Sequence, residues 1–164
     1  MKRFVCILLS LCLLLPGCSQ ERIKESVTFY YPRREYRYDS ADGVIAGEQR
    51  EASGHEGDLH YLLTLYLMGP SNEELVSPLP RGTQLLQALQ QDSAVTLELT
   101  DTAQAMTDME FTLACACLTL TSLSITGGEK VTVTSGSRTV TMNRDSLTLF
   151  DDSTAASTTT EETT

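Results

Sequence analysis

The chain reads as an α+β protein, a two-layer domain with two helices packed on one face of a mixed four- to five-stranded sheet. Three observations carry this. Hydrophobic residues alternate with period two at both ends of the central region and again near its middle. Two separate segments instead show the 3.6-residue period of amphipathic helices. The strand-like segments place apolar residues on one side and mostly threonine on the other, the mark of a sheet covered on one face and wet on the other.

The elements follow in order. Val27, Phe29 and Tyr31 alternate with Thr28 and Tyr30, and Pro32 stops this first strand. A polar excursion comes next, with Asp42-Gly43 and Ser53-Gly54 as turns. Asp58 is a candidate N-cap for a helix carrying Leu59, Leu62, Leu63, Tyr66 and Leu67 on one face, ended by Gly69-Pro70. Pro78, Pro80 and Gly82 stiffen the connector beyond it. The segment 85–91 is ambiguous by propensity and could form a helical turn. Val95, Leu97 and Leu99 alternate with Thr96, Glu98 and Thr100 as a half-buried strand. Thr107 and Glu110 make a capping box that opens a second helix with Phe111, Ala114, Cys115 and Leu118 on one face. Val131 and Val133, then Val140 and Met142, flank Ser135-Gly136-Ser137 as a hairpin.

The ends of the chain have other characters. Lys2 and Arg3 precede an apolar run from Phe4 to Leu15, shorter than the ~20 residues of a membrane-spanning helix. Leu15-Pro16-Gly17-Cys18 follows. Residues 1–17 therefore read as an export signal. The tetrapeptide resembles a lipobox, which implies lipidation of Cys18 and its exposure as the new N-terminus. Two or more acyl chains hold a protein stably on a bilayer, so the expected location is the extracytoplasmic face of the membrane. Residues 18–26 read as the lipidated end and a polar tether, 27–150 as the domain, and 151–164 as a Thr/Ser/Glu-rich tail expected to remain disordered.

Charge narrows the partners. Loss of Lys2 and Arg3 leaves ten of the 12 basic residues against 22 acidic ones, a net charge of −12. Such a chain is repelled by nucleic acid and by anionic head groups, so the anchor has to hold it at the membrane without help from basic residues. Arg33, Arg34 and Arg37 form the sole basic cluster, diluted by Glu35 and Asp39.

The sequence offers no catalytic constellation, and neither a cofactor nor a metal site is expected. His55 and His60, with Glu56, lack the His-Glu-x-x-His spacing and a third ligand nearby. Cys115 and Cys117, two apart on a helix, point about 200° apart and read as small core hydrophobes. A second apolar line on each helix is more informative: Tyr61, Leu65 and Met68 on the first, and Leu113, Cys117 and Leu120 on the second. Flank packing between neighbouring helices would bury these lines. Otherwise they form an interaction surface, with Tyr61, Leu65, Met68, Leu113 and Leu120 as its candidate residues.

The connector also carries a resemblance. Leu67-Met68-Gly69-Pro70, then Leu75-Val76-Ser77-Pro78-Leu79-Pro80-Arg81-Gly82-Thr83, is similar to the signature of the GerMN domain. Val27 to Pro32 is similar to that domain's opening strand, Glu48-Gln49-Arg50 to its acidic-x-Arg element, and Thr119 to Leu123 to the end of its second helix. The resemblance spans roughly residues 27–150. Two departures accompany it: a single copy of the domain, and Ser124 to Gly128 in place of the usual Gly-Val. The resemblance implies a non-catalytic envelope lipoprotein that assembles with itself or with other envelope proteins, in sporulation, spore germination or envelope assembly. A different class of function, binding of a small molecule or glycan, would use the region of Tyr30, Tyr36 and Tyr38.

Overall fold

The computed structural model describes residues 26–35 and 43–147. The signal segment, Cys18, the tether, Tyr36 and Tyr38, and the tail lie outside the described residues.

Strand β1 (Ser26–Pro32) pairs antiparallel with β2 (Ile45–Glu51) in a two-stranded sheet of its own. Helix α1 (Leu59–Leu67) follows, then β3 (Leu85–Gln91), β4 (Ala94–Leu99), helix α2 (Asp108–Thr126), β5 (Lys130–Ser135) and β6 (Arg138–Asn143). The last four strands form a mixed sheet in the order β3-β4-β5-β6, in which the β4–β5 pair is parallel and the outer pairs antiparallel. The parallel pair follows from α2, which carries the chain back across the sheet between β4 and β5.

The α+β class, the two helices and the mixed four-stranded sheet agree with the sequence. Two elements differ from the element-by-element reading. The polar excursion contains β2, whose residues Ile-Ala-Gly-Glu-Gln-Arg-Glu carry no apolar alternation. None of them is fully buried, so ladder hydrogen bonds to β1, not burial of a face, hold this strand. Segment 85–91 is a strand because a tight turn through Asp92 (φ 53°) folds it back onto β4, and that pairing overrides the helical preference of Leu, Gln and Ala.

The helix starts are set locally, as the sequence indicates, and α2 runs three residues past Leu123, to Thr126. The Asp58 carboxylate accepts from the Tyr61 N–H at 3.0 Å. The capping box joins Thr107 and Glu110 in both directions, and Gly127 ends α2 in the left-handed conformation (φ 67°). Helix α2 packs against β1 on one side and against β5 and β6 on another, with α1 beside it. By length and composition alone α2 could cross a membrane. Its surroundings explain that composition: Phe111, Ala114, Cys115, Cys117, Leu118, Thr119, Thr121, Ser122 and Leu123 are all buried within the domain.

The sheet is covered on one face. Val95, Leu97, Leu99, Val131 and Val133 point into the core. On the opposite face Thr132 pairs its hydroxyl with Thr141 at 2.9 Å, and Thr134 with Thr139 at 3.2 Å. Arg138 fastens β6 to the start of α2. Its guanidinium donates to the Met106 carbonyl at 2.8 Å and to the Asp108 carboxylate at 2.9 Å, and lies 4.2 Å from the centre of the Phe111 ring.

Candidate functional site

The start of the connector signature, Leu67 to Pro70, lies where β1, β2 and α1 meet. Tyr66, near the end of α1, is fully buried, stacks on Tyr31 with ring centres 4.6 Å apart, and meets Phe29 edge-on at 5.8 Å. The two tyrosines also exchange polar contacts with the backbone. Tyr31 donates its hydroxyl to the Tyr66 carbonyl at 2.9 Å, which also accepts from the Gly69 N–H at 3.0 Å where α1 ends. Tyr66 donates to the Tyr30 carbonyl at 3.1 Å. Burial pushes both phenols above their ordinary range, so both keep their protons and remain donors.

Beside this stack, Glu48 and Arg50 clamp the turn that ends α1. Both lie on β2 and project to the same side, because residues two apart on a strand share a face. The Glu48 carboxylate accepts from the N–H groups of Ser71 (3.0 Å) and Asn72 (3.2 Å) and pairs with the Arg50 guanidinium. Arg50 in turn donates to the Gly69 carbonyl at 3.0 Å. Partial burial pushes the Glu48 acid upward, but the Asn72 N–H, the Arg50 guanidinium and the Ser71 N–H outweigh it and hold the carboxyl below its usual range. Gly69 has φ 97°, a conformation costly for any side chain, which explains glycine before Pro70.

Much of the rest of the connector is also tied down. Val76 donates to the Pro32 carbonyl at 3.0 Å, Arg34 to the Glu74 carbonyl at 2.7 Å, and the Arg34 guanidinium to the Glu73 carbonyl at 2.9 Å. Leu75 and Leu79 enter the core. Thr83 is buried, donates to the Pro80 carbonyl at 2.8 Å and shares a hydroxyl contact with Thr102 at 2.8 Å. The signature is thus a fastening that fixes α1, the first sheet and the connector to one another.

The two apolar lines have different fates. Tyr61 and Met68 are exposed, 43% and 80%, whereas Leu65 is partly buried against the core. On α2, Cys117 is fully buried and Leu113 and Leu120 are half-buried. The five candidates therefore do not form one open stripe. Periodicity on α2 could not reveal this, because the cover includes β1, whose Tyr30 N–H donates to Thr121 at 2.9 Å and whose Thr28 carbonyl accepts from Ser124 at 2.6 Å. Those two hydroxyls satisfy the strand backbone from a helix, a pairing without a sequence signature.

His55 stacks on Tyr61, with ring centres 3.7 Å apart. Among the described residues no three His, Cys, Asp or Glu side chains gather as a metal site. Cys115 and Cys117 are free and buried, and burial pushes the Cys115 thiol up to about 12 and the Cys117 thiol higher still. Both are therefore protonated and poorly nucleophilic in the folded chain. Labelling at pH 8 should leave both unmodified over the time that modifies an exposed thiol, and denaturation should expose both. Folded thiols that hold protons where unfolded ones release them also make stability fall as pH rises past about 9. Fast labelling of the native chain, or a Cys115–Cys117 disulfide in its intact mass, would contradict this.

Comparison with known proteins places the fold. A family model described as "Germane: Sporulation and spore germination" matches residues 28–141, most of the chain. Among solved structures, the first GerMN domain of the sporulation protein GerM from Bacillus subtilis superposes with TM-score 0.54 at 13% identity, over 71% of this chain and 86% of that one. The tandem GerMN domains of the same protein give 0.50 at 16% identity, over 70% of this chain but 39% of that longer one. A candidate lipoprotein from Clostridium perfringens gives 0.47 at 17%, over 74% and 88%. No curated protein matches the chain in sequence. Family match, fold and fastened connector agree: the chain belongs to the Germane family of sporulation and spore-germination domains.

Proposed function

We propose that this protein is a lipid-anchored, non-catalytic assembly protein of the cell envelope, held outside the membrane by Cys18 and acting through contacts with itself or with other envelope proteins. The observation that carries this reading is the coincidence of an export signal and a lipobox-like Leu15-Pro16-Gly17-Cys18 ahead of a Germane domain. The site supports it. Leu75 and Leu79 of the signature pack in the core, Glu48 and Arg50 clamp the turn at Gly69 to Asn72, and the cysteine thiols are silenced by burial. Charge supports it too, because a strongly acidic chain needs a lipid to stay on an anionic surface.

Cys18→Ala tests the anchor. The expected result is loss from the membrane fraction, or accumulation of the uncleaved form, while the wild-type chain stays with membranes after a high-salt wash. Equal membrane retention of a correctly cleaved Cys18→Ala chain would overturn the lipid part of the proposal.

A further inference from the structure

Strand β3 forms one margin of the four-stranded sheet, paired with β4 on one side only. The turn between them has two residues, so Gln91 and Ala94 make a hydrogen-bonded pair, and alternation turns the N–H and C=O groups of Ala88 and Gln90 away from β4. No described residue hydrogen-bonds to that outer edge.

Proteins normally blunt such an edge with charge, proline or a covering segment. Here the stretch from Thr83 to Gln91 has neither charge nor proline, in a chain of net charge −10. Leu86 and Leu89 are 55% and 45% exposed on it. A neutral edge is where two copies of so acidic a chain can approach without repelling each other.

The wet face of β3 also reads the same in both directions. Gln87, Leu89 and Gln91 lie on it in register with Glu98, Thr96 and Ala94. An antiparallel two-fold pairing about Leu89 sets leucine on leucine, and Gln87 opposite Gln91 of a second copy. A glutamine amide both donates and accepts, so a like pair is satisfied where two carboxylates would repel. A two-fold interface requires such self-complementarity.

We propose that the β3 edge is a homodimer interface, joining two copies of this chain through antiparallel β3–β3 pairing about Leu89 into one eight-stranded sheet. This deepens the assembly reading by naming a second copy as the partner, and it rests on that reading.

Sedimentation velocity of the full chain in density-matched detergent tests it, with Leu89→Glu and Leu89→Lys alone and mixed. Leu89 is on the wet face, so neither change should disturb the fold. The wild type should dimerise. Each variant alone should weaken dimerisation by about ten-fold or more, because like charges meet at the two-fold axis. The equimolar mixture should restore the dimer, which neither general misfolding nor an interface elsewhere would produce. Thr141→Glu, on the opposite margin of the sheet, should leave the dimer intact. A monomeric wild type, undiminished dimers in both variants, or a mixture that stays monomeric overturns the proposal. If a charged variant fails to fold, Leu89→Cys decides under a copper–phenanthroline oxidant with wild type as control. A new disulfide-linked dimer supports the pairing, and its absence overturns it. A monomeric chain that still co-purifies with a different envelope protein would sink this interface and leave the assembly reading standing.

Discussion

Tyr66→Ala should destabilise the domain by about 3–5 kcal/mol, the range for deleting a buried aromatic ring. The ring is fully buried between Tyr31 and Phe29, so its loss leaves a cavity bordered by two other large side chains. The substitution also removes the donor to the Tyr30 carbonyl. Tyr66→Phe separates the two contributions: it keeps the ring and should cost about 1 kcal/mol. Chemical denaturation of the three chains checks the ordering. A cost for Tyr66→Ala below that of Tyr66→Phe would mean the aromatic stack does not hold α1 to the first sheet.

Glu48→Ala should be the second large effect, on the order of 2–3 kcal/mol at neutral pH. It strands the Arg50 guanidinium and two backbone N–H groups that now share one carboxylate. The same carboxylate gives a pH signature. Its folded pKa lies below the usual value, so its contribution is fully present above the unfolded pKa of about 4.3 and is lost as pH falls through the folded value. Glu48→Gln should therefore flatten the acid limb of the stability curve and leave the alkaline limb, where the thiols titrate, unchanged. An acid limb of the same steepness in Glu48→Gln would show that other carboxylates govern acid unfolding.

These two sites also show what was legible in the sequence. The aromatic strand Val27–Tyr31 and the core face of α1 could be read from spacing, because burial of a regular face leaves a regular pattern. Capping did so as well, since Asp58 and Thr107 each act on the backbone N–H three residues on. The clamp did not. Glu48 and Arg50 reach Ser71, Asn72 and Gly69 across about twenty residues, and they do so from a strand with no apolar period. Resemblance marked these residues as an element of the family, but only the fold shows that they grip the turn after α1. The second apolar line of α2 leaves flank packing and an open surface equally legible for a related reason. Leu113, Cys117 and Leu120 have the spacing of an outer face, and a helix packed on more than one side has little outer face to offer. Among the described residues the exposed large hydrophobics are Tyr61 on α1, Met68 at its C-cap, Met109 at the start of α2, and Leu86 and Leu89 of β3, and β3 was hidden because its helix-favouring residues form a strand only once β4 is beside them.

Anchor and assembly are read together by native mass spectrometry of the wild-type chain extracted from its own membranes in mild detergent. A lipid-anchored assembly protein should appear as a mature chain beginning at Cys18, heavier by a diacylglyceryl group, and present as a dimer or in complex with another envelope protein. An unacylated monomer, with the signal segment removed at another residue or still attached, would contradict it.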